Sequence, residues 1–468
     1  MLYSIDMNIS NKDKAHLAGL KAVKILHSNN FKGFWVGGVV RDLILGRTSD
    51  NIDIATNATP DKVEAIFVKE GYKTKLVGKK YGTILTVING FPVEITTYRK
   101  EGDYIDKRHP NQIVFVENYT DDAQRRDFTI NALYFNPITK ELLDPCGGLI
   151  DLNNKLIKFI GNPKKRIEED YLRLIRAARL SHQLGFRIEQ NSFAAIKTRA
   201  KFLQDVAGER VKQEIDKILL SPNPHEGLKI LDSLGLLKFI IPEVEKTKKV
   251  FHKSKTYHLE GSVFEHTLLV VSHLKNLDLN LIYAAIFHDV GKINTGKLKQ
   301  RDGQVVMSFY GHSKSSQEIY NKFAVKFKPS RTERKIVNWL IEHHDLKRNF
   351  LQSKPEKQAI YALHPQFESL LDLWRADSAG NIKTDANKVF AQSMTSAWKL
   401  GTQYVNKIKE LKNTLDLATG NNAIKILGIK PGPAIGSILK KIKAKIILGE
   451  VKNYSDLEKY LLSGRKNT

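Results

Sequence analysis

The chain has 468 residues, 41% of them hydrophobic, and its 75 lysines and arginines against 50 aspartates and glutamates give a formal charge of +25. That composition supports packed cores and excludes a disordered chain, and the length suggests about three domains. The charge points to a polyanionic partner, nucleic acid first, while the single cysteine, Cys146, excludes an internal disulfide or a thiolate zinc site and fits a reducing cytosol.

The first ten residues, MLYSIDMNIS, lack a basic region followed by an apolar core, so no secretory signal is expected. No apolar run approaches the ~20 residues a membrane helix needs, so no membrane partner is expected. Residues 11–29 are expected to be helical. The stretch GGVVRDLILGRTSDNIDIAT (37–56) follows. Gly37 and Gly38 lead into a helix start, where a turn without side chains can lie against a triphosphate. Arg41 sits just inside that helix and completes the cradle. In the strand that follows, residues two apart point the same way. Asn51 and Asp53 therefore share one face while Ile52 and Ile54 face the core. A carboxylate beside a phosphate cradle is a place for Mg²⁺.

Residues 83–99, TILTVINGFPVEITTYR, hold an Asn89-Gly90 turn between two β-rich runs and predict a hairpin. Glu94 lies between apolar Val93 and Ile95. With the 37–53 stretch beside it, Glu94 is read as a second metal ligand rather than a surface residue. Residues 100–124, with Gly102, Asp103, Asp106, Arg108, His109 and Pro110, read as a polar loop that re-enters a strand at Ile113–Val116. In RRDFTINAL (125–133), Arg125 and Arg126 can neutralise phosphate, and Asp127 and Asn131 can bond a ribose. The plainer alternative is a helix start with Asp127 as its cap and Phe128 and Ile130 packed inward.

Taken in order, GGVVRDLILGR (37–47), IDIAT (52–56), VEITTYR (93–99), RRDFTINA (125–132), DPCGGLIDL (144–152), EEDYLRLIRAARL (168–180) and GERVKQEI (208–215) resemble the class II tRNA nucleotidyltransferase and bacterial poly(A) polymerase family. The resemblance is dense over roughly the first 220 residues. It implies a polymerase-β-like head, nucleotidyl transfer with Mg²⁺ held by a carboxylate set, and a tRNA 3′ end with CTP and ATP as partners. The family carries an Asp-x-Asp pair, and this chain has Asn51 at the first position. Asparagine offers a metal one neutral oxygen, so weaker Mg²⁺ binding is expected. Asp50 is adjacent, but strand alternation turns it away unless a bulge brings it round. The 97–110 segment matches the loop kept in CCA-adding and A-adding members and reduced in CC-adding ones, which implies that the terminal A is added.

From about residue 163 the pattern turns helical. Asp170, Arg173 and Arg176 recur every three residues, so a single helix would place them along one face. Cytosine and adenine both present an exocyclic amine beside a ring-nitrogen acceptor. A carboxylate accepts from the first and a guanidinium donates to the second, while uracil and guanine leave both protein groups unpaired. The resemblance assigns this role to Asp170 and Arg173, with Arg176 and Arg179 supporting base and phosphates. An ordinary surface ion pair is the plainer alternative.

Pro222 and Pro224 mark a boundary, and 225–395 read as all helical. There EGSVFEHTLLVV (260–271), YAAIFHDVGK (283–292) and WRADSAG (374–380) place His266, His288, Asp289 and Asp377 in the pattern of HD-domain phosphohydrolases. Such a set suits Mn²⁺, Ni²⁺, Fe²⁺ or Mg²⁺ and water activation against a phosphoester. His312 and either His343 or His344 are candidates for a second ion. The lysine-rich residues 396–468, including ILKKIKAKIIL (438–448), resemble the family's tRNA-gripping tail; a solvated amphipathic helix is the plainer alternative.

The expected architecture is α+β: a nucleotidyltransferase head at 1–140, an all-α neck at 141–222 for base and RNA binding, an HD-type helical body at 223–395 and a helical tail at 396–468. The expected activity is cytoplasmic CCA addition to tRNA. Two alternatives are a poly(A) polymerase on the same scaffold and a catalytically weak RNA-binding head joined to a working HD hydrolase.

Overall fold

The structure is a computed structural model that describes residues 2–4, 13–49, 51–78, 81–102, 111–251, 261–301, 304–380 and 388–464. Asp50 and residues 103–110 of the expected loop lie outside the described residues. By packing, the chain falls into two compact units: Met1–Glu214 with Ser233–Phe239, and Ile215–Asp232 with Ile240–Thr468.

The first unit is built on a mixed sheet. Its strands are β1 (Leu2–Ser4), β2 (Gly33–Val36), β3 (Ile52–Thr56), β4 (Thr74–Gly78), β5 (Thr83–Ile88) and β6 (Phe91–Thr97). A separate two-stranded ribbon follows, β7 (Arg99–Glu101) with β8 (Ile113–Phe115), and then β9 (Tyr134–Asn136) and β10 (Glu141–Leu143) return to the main sheet. The spatial order is β1-β10-β9-β2-β3-β6-β5-β4. Every neighbouring pair whose direction matters here is antiparallel except β3 and β6, which run parallel with Asp53 opposite Glu94. The β5–β6 hairpin turns on Asn89 at φ 54° and Gly90 at φ 86°. Both central residues at positive φ make the turn whose twist matches the strands.

Alternation settles which side chains face which way. Trp35, Ile52, Ile54, Val93 and Ile95 are buried. The helix Lys14–Ser28, capped by Asp13 accepting from the His16 amide, covers that face and brings Gly19 against Trp35 and Ile52. The opposite face is closed by Phe34, Val36, Ala55, Tyr98, Tyr134 and Leu143. Asp53 and Glu94 open onto this second face, because each lies between two buried residues of its strand, Ile52 and Ile54 or Val93 and Ile95, and the two are in register.

Three local features differ from expectation. The 100–124 stretch is not wholly loop: Tyr119–Gln124 is helical, because Asn118 accepts from the Thr120 amide and Asp121 and Asp122 occupy its first turn. The expected single helix through Asp170, Arg173 and Arg176 is two. Pro163–Glu169 stops at Asp170, whose backbone is extended (φ −146°, ψ 108°), and Arg173–Leu184 restarts after it. The Asp170 carboxylate accepts from the Leu172 amide at 3.0 Å, a side-chain turn that competes with helix continuation. Finally, the stretch expected to be all helical holds an antiparallel hairpin, Lys297–Arg301 with Gln304–Ser308.

The second unit is otherwise helical. Val263–Ser272, Leu279–Phe287, His312–Phe327, Arg331–His343 and Phe367–Gly380 surround a core that includes Phe287, Tyr320, Phe323, Phe327 and Trp374. A smaller cluster of Ala418, Ala423, Ile442, Ile446, Val451, Leu457 and Leu461 orders the C-terminal helices. There Ile442, Ile446 and Ile447 of helix Ala434–Leu448 are buried while Lys440 and Lys441 remain exposed, as an amphipathic helix requires. Among the described residues no helix is long and apolar enough to cross a membrane.

Candidate functional site

In the first unit, Gly37 precedes the helix Gly38–Ile44 with φ 76° and ψ −135°, a conformation that disfavours any residue with a side chain. A Cβ placed there would lie 3.5 Å from the Asp53 carboxylate and 3.8 Å from the Arg126 guanidinium. The bare turn, the carboxylate and the cation therefore meet at one point. Glu94 stands beside Asp53 on the parallel strand and is exposed. Burial, and then the neighbouring Glu94, push the Asp53 carboxyl up to about 6, against the pull of Arg126 and Arg176. Two carboxylates crowded so that one resists ionising are a donor set that a divalent cation relieves. Asn51 is exposed, one residue ahead of β3.

The surrounding polar groups are tied to one another. Arg41 donates to Asn131 Oδ1 at 2.8 Å and, through Nε and Nη2, to the Asp42 carboxylate. Asp127 Oδ1 accepts from its own Phe128 amide and from Asn131, and its Oδ2 takes Arg176 through two nitrogens at 2.9 and 2.6 Å. Those donors hold the Asp127 carboxyl far below the usual range despite burial. Phe128 and Ile130 are buried, so the plainer expectation for their packing holds as well.

Sequence reasoning missed Asp122. It is fully buried and accepts from Arg125 Nε (2.8 Å), Arg126 Nη2 (3.1 Å), Tyr134 Oη (2.7 Å) and the Arg99 amide. Burial opposes its charge, but Arg126 and Arg125 outweigh it and bring the carboxyl down to about 2. Asp122 thus fixes both arginines of the RRD segment. No periodicity marks it, because Asp121-Asp122 in a polar stretch reads as a solvated face.

The segment after Asp170 docks onto the same motif. Arg173 pairs with Glu169 and donates to the backbone carbonyls of Arg166 and Arg125. Arg176 holds Asp127, and Arg179 pairs with Glu214 at 2.6 Å. Asp170 itself pairs with Arg210 at 2.9 Å. Asp170, Arg173 and Arg176 are thus brought near the motif by a break and restart, not by one helical face.

The second unit brings the histidines together. His266 Nε2 lies 3.0 Å from Asp377 Oδ1 and 3.7 Å from Asp289 Oδ2, and His288 Nε2 lies 3.3 Å from Asp289 Oδ2. Asp289 Oδ1 faces the other way, 3.2 Å from His312 Nε2 and 3.6 Å from His344 Nε2. Two donor sets follow, His266–His288–Asp377 and Asp289–His312–His344. His312 and His344 place their Nδ1 atoms on the carbonyls of Phe309 and Ile341, so each carries its proton there. Their Nε2 lone pairs then face each other at 3.0 Å, an arrangement that fits a cation between them. His343 is not part of it: its Nδ1 bonds the Trp339 carbonyl and its ring stacks on Trp339 at 4.4 Å. The short 3₁₀ turn His344–Leu346 is what separates the two neighbours. Burial opposes ionisation of Asp289 and Asp377, but Lys292 beside the one and Lys347 beside the other keep both carboxyls well below the ordinary range.

Comparison with known proteins places both sites in one framework. Residues 33–158 match the poly(A) polymerase head domain, 185–248 match the probable RNA and SrmB-binding site of polymerase A, and 263–364 match the HD domain. The chain is 30% identical over 430 residues to a CCA-adding enzyme of Limosilactobacillus reuteri, covering 90% of each. It is 37% identical over 276 residues to the CCA-adding enzyme of Bacillus pumilus, covering 58% of this chain and 66% of that one. It thus spans just under two thirds of that relative's length. Among solved structures, the Bacillus stearothermophilus CCA-adding enzyme in complex with CTP superposes with TM-score 0.64 at 23% identity, covering 97% of this chain and 98% of that one. The Thermotoga maritima CCA-adding enzyme complexed with tRNA superposes with TM-score 0.63 at 20% identity over 99% of each.

Proposed function

Because the chain belongs to the class II family of CCA-adding enzymes and poly(A) polymerase heads with an HD domain, we propose that it adds C, C and A in turn to the tRNA 3′ end from CTP and ATP, in the cytoplasm. The observation that carries this reading is the meeting of Gly37, Asp53, Glu94 and Arg126 at one edge of the head sheet. Asp53 and Glu94, with the Asn51 amide oxygen, would hold Mg²⁺, whose positive charge would ease deprotonation of the 3′-hydroxyl and offset the negative charge on the departing pyrophosphate. Gly37 and Gly38 let the backbone approach the triphosphate, and Arg41, fixed by Asp42 and Asn131, meets its oxygens. Arg126 is aimed at the same phosphates by Asp122. Asp127 and Asn131 orient the nucleotide. Asp170 and Arg173 read the base edge, accepting from the exocyclic amine and donating to the ring nitrogen. Arg176, which also ties that reader to Asp127, and Arg179, braced by Glu214 within the neck, support the base and phosphates.

The boundaries that go with these roles are a head at 1–140, a neck at 141–222, an HD body at 223–395 and a tRNA-binding tail at 396–468. In the body, His266, His288, Asp289 and Asp377 would hold one Mn²⁺, Ni²⁺ or Mg²⁺, and His312 and His344 with Asp289 would hold a second. The chemistry such ions supply is activation of water against a phosphoester. The lone pairs facing each other at His312 and His344 favour this second activity.

The test uses tRNA that ends at its discriminator base. CTP alone extends it by two nucleotides, CTP with ATP by three, and Asp53→Ala abolishes both. Growth of long tails from ATP alone indicates the poly(A) polymerase reading. No incorporation at all, together with metal-dependent hydrolysis of a 2′,3′-cyclic phosphate, indicates a working HD hydrolase on a weak RNA-binding head.

A further inference from the structure

Lys347 belongs to none of the sets above, yet it is 5% exposed and its ammonium donates to Asp377 Oδ2. Its place is unusual. It follows His344 by one helical turn, so the segment that supplies a ligand to the second donor set also reaches across to the first. Asp377 has two oxygens with separate tasks: Oδ1 lies 3.0 Å from His266 Nε2, and Oδ2 is taken by Lys347. A carboxylate whose second oxygen is held by an ammonium is a poorer bidentate ligand, because that oxygen has given up one lone pair and part of its charge.

Charge gives the same result. Around the first donor set stand the Asp289 and Asp377 carboxylates and the Lys292 and Lys347 ammoniums, with Lys292 Nζ 2.6 Å from Asp289 Oδ2. At this first set two negative and two positive groups cancel and the histidines add none while neutral; Asp345, 3.3 Å from His312 Nε2, stands at the second set and is largely exposed. An ion placed there keeps its full charge toward the remaining coordination positions. That weakens ion binding relative to two free carboxylates, and it strengthens the pull on an incoming anion. A lysine ammonium has three N–H donors, and Asp377 uses one of them in the contact described.

We propose that Lys347 is a positioning residue of the HD centre: it confines Asp377 to ligation through one oxygen and turns the loaded centre into a receptor for a phosphoryl anion. The inference rests on the metal-centre reading given above.

The two roles predict opposite signs, which a merely structural lysine does not. The test uses the full chain with the head carboxylate removed by Asp53→Ala, Mn²⁺ as the ion and inorganic phosphate as the anion, each followed by titration calorimetry. Replacing Lys347 by Met frees the second Asp377 oxygen and removes one positive charge. Mn²⁺ should then bind roughly tenfold tighter, and phosphate should bind the Mn²⁺-loaded protein roughly tenfold more weakly. Lys347→Arg keeps the charge and should restore both values toward wild type. Thermal unfolding of each variant shows that the comparison is between folded proteins, and Lys347→Gln replaces Lys347→Met if the latter does not fold. Should the neutral variant bind both Mn²⁺ and phosphate more weakly, or change neither, the proposal is overturned while the metal centre stands. A wild-type chain that takes up no Mn²⁺ contradicts the metal centre itself, and the role of Lys347 with it.

Discussion

Asp53 sits where function and stability oppose each other. Its carboxyl is raised from 3.8 to about 6 by burial and by Glu94, so the folded chain holds that proton more tightly than the unfolded chain does. Well below pH 3.8 both states are protonated and nothing is lost; the loss grows from there and is complete above about pH 6. Asp53→Asn in a metal-free buffer should therefore stabilise the protein at pH 7.5 by about 1–2 kcal/mol, with almost all of that gain gone at pH 3. Urea denaturation at the two pH values measures it, and the same variant should incorporate no nucleotide. Asn51→Asp adds a charge to the set and should lower the Mg²⁺ concentration needed for half-maximal incorporation by roughly tenfold. Asp122 is the opposite case. Its carboxyl lies at about 2, so its contribution is full above 3.8 and is lost as pH falls through 2. Asp122→Ala leaves two guanidiniums without their shared partner and should cost about 3–5 kcal/mol at neutral pH, read from the urea midpoint. Asp53 and Glu94 were legible because apolar neighbours on both sides fix their direction in a strand. Asp122 was not, since its burial comes from Arg125, Arg126 and Tyr134 closing over it. Nor can adjacency alone choose between His343 and His344; one turn of 3₁₀ helix does.

At the level of elements, what could be read was what a short stretch decides for itself. Asn89-Gly90 demanded two positive φ values and produced the β5–β6 hairpin. The second hairpin, Lys297–Arg301 with Gln304–Ser308, has Asp302-Gly303 between its strands in the sequence, a turn signal of the same kind that the reading of 225–395 as all helical passed over. The break at Asp170 was hidden because residues spaced by three fit a helix equally well. Only the Leu172 amide and Arg210, both drawn to the Asp170 carboxylate, show why the helix stops. The helix that carries His266 is fixed by a capping box, in which Ser262 accepts from the Glu265 amide and the Glu265 carboxylate accepts from the Ser262 amide. Ser262→Ala should cost about 1 kcal/mol in thermal unfolding, and Thr at the same position should recover most of it.

For the whole molecule, charge and order of motifs say most. With a formal charge of +25, the proposed grip on tRNA phosphates predicts an affinity that falls steeply with salt. Filter binding of tRNA between 50 and 200 mM salt should show a loss of about 10³-fold or more if six or more phosphates are neutralised, and a flat profile would argue against the tail as an RNA grip. The sequence of motifs from 37 to 215 carried family and fold class, because each motif is a local chemical requirement and their order is independent of packing. How Asp170 and Arg173 are presented was not legible, because it depends on Arg125, Glu169 and Arg210 lying close in space. The central claim is that a carboxylate and a guanidinium choose the base beside an acidic metal pocket. The direct measurement is sequencing of the 3′ ends formed when tRNA lacking CCA is incubated with Mg²⁺ and all four nucleotides together. Wild-type ends should read CCA and stop, and Asp170→Ala ends should admit U and G. Wild-type ends rich in U or G, or Asp170→Ala ends still reading CCA, would contradict that claim.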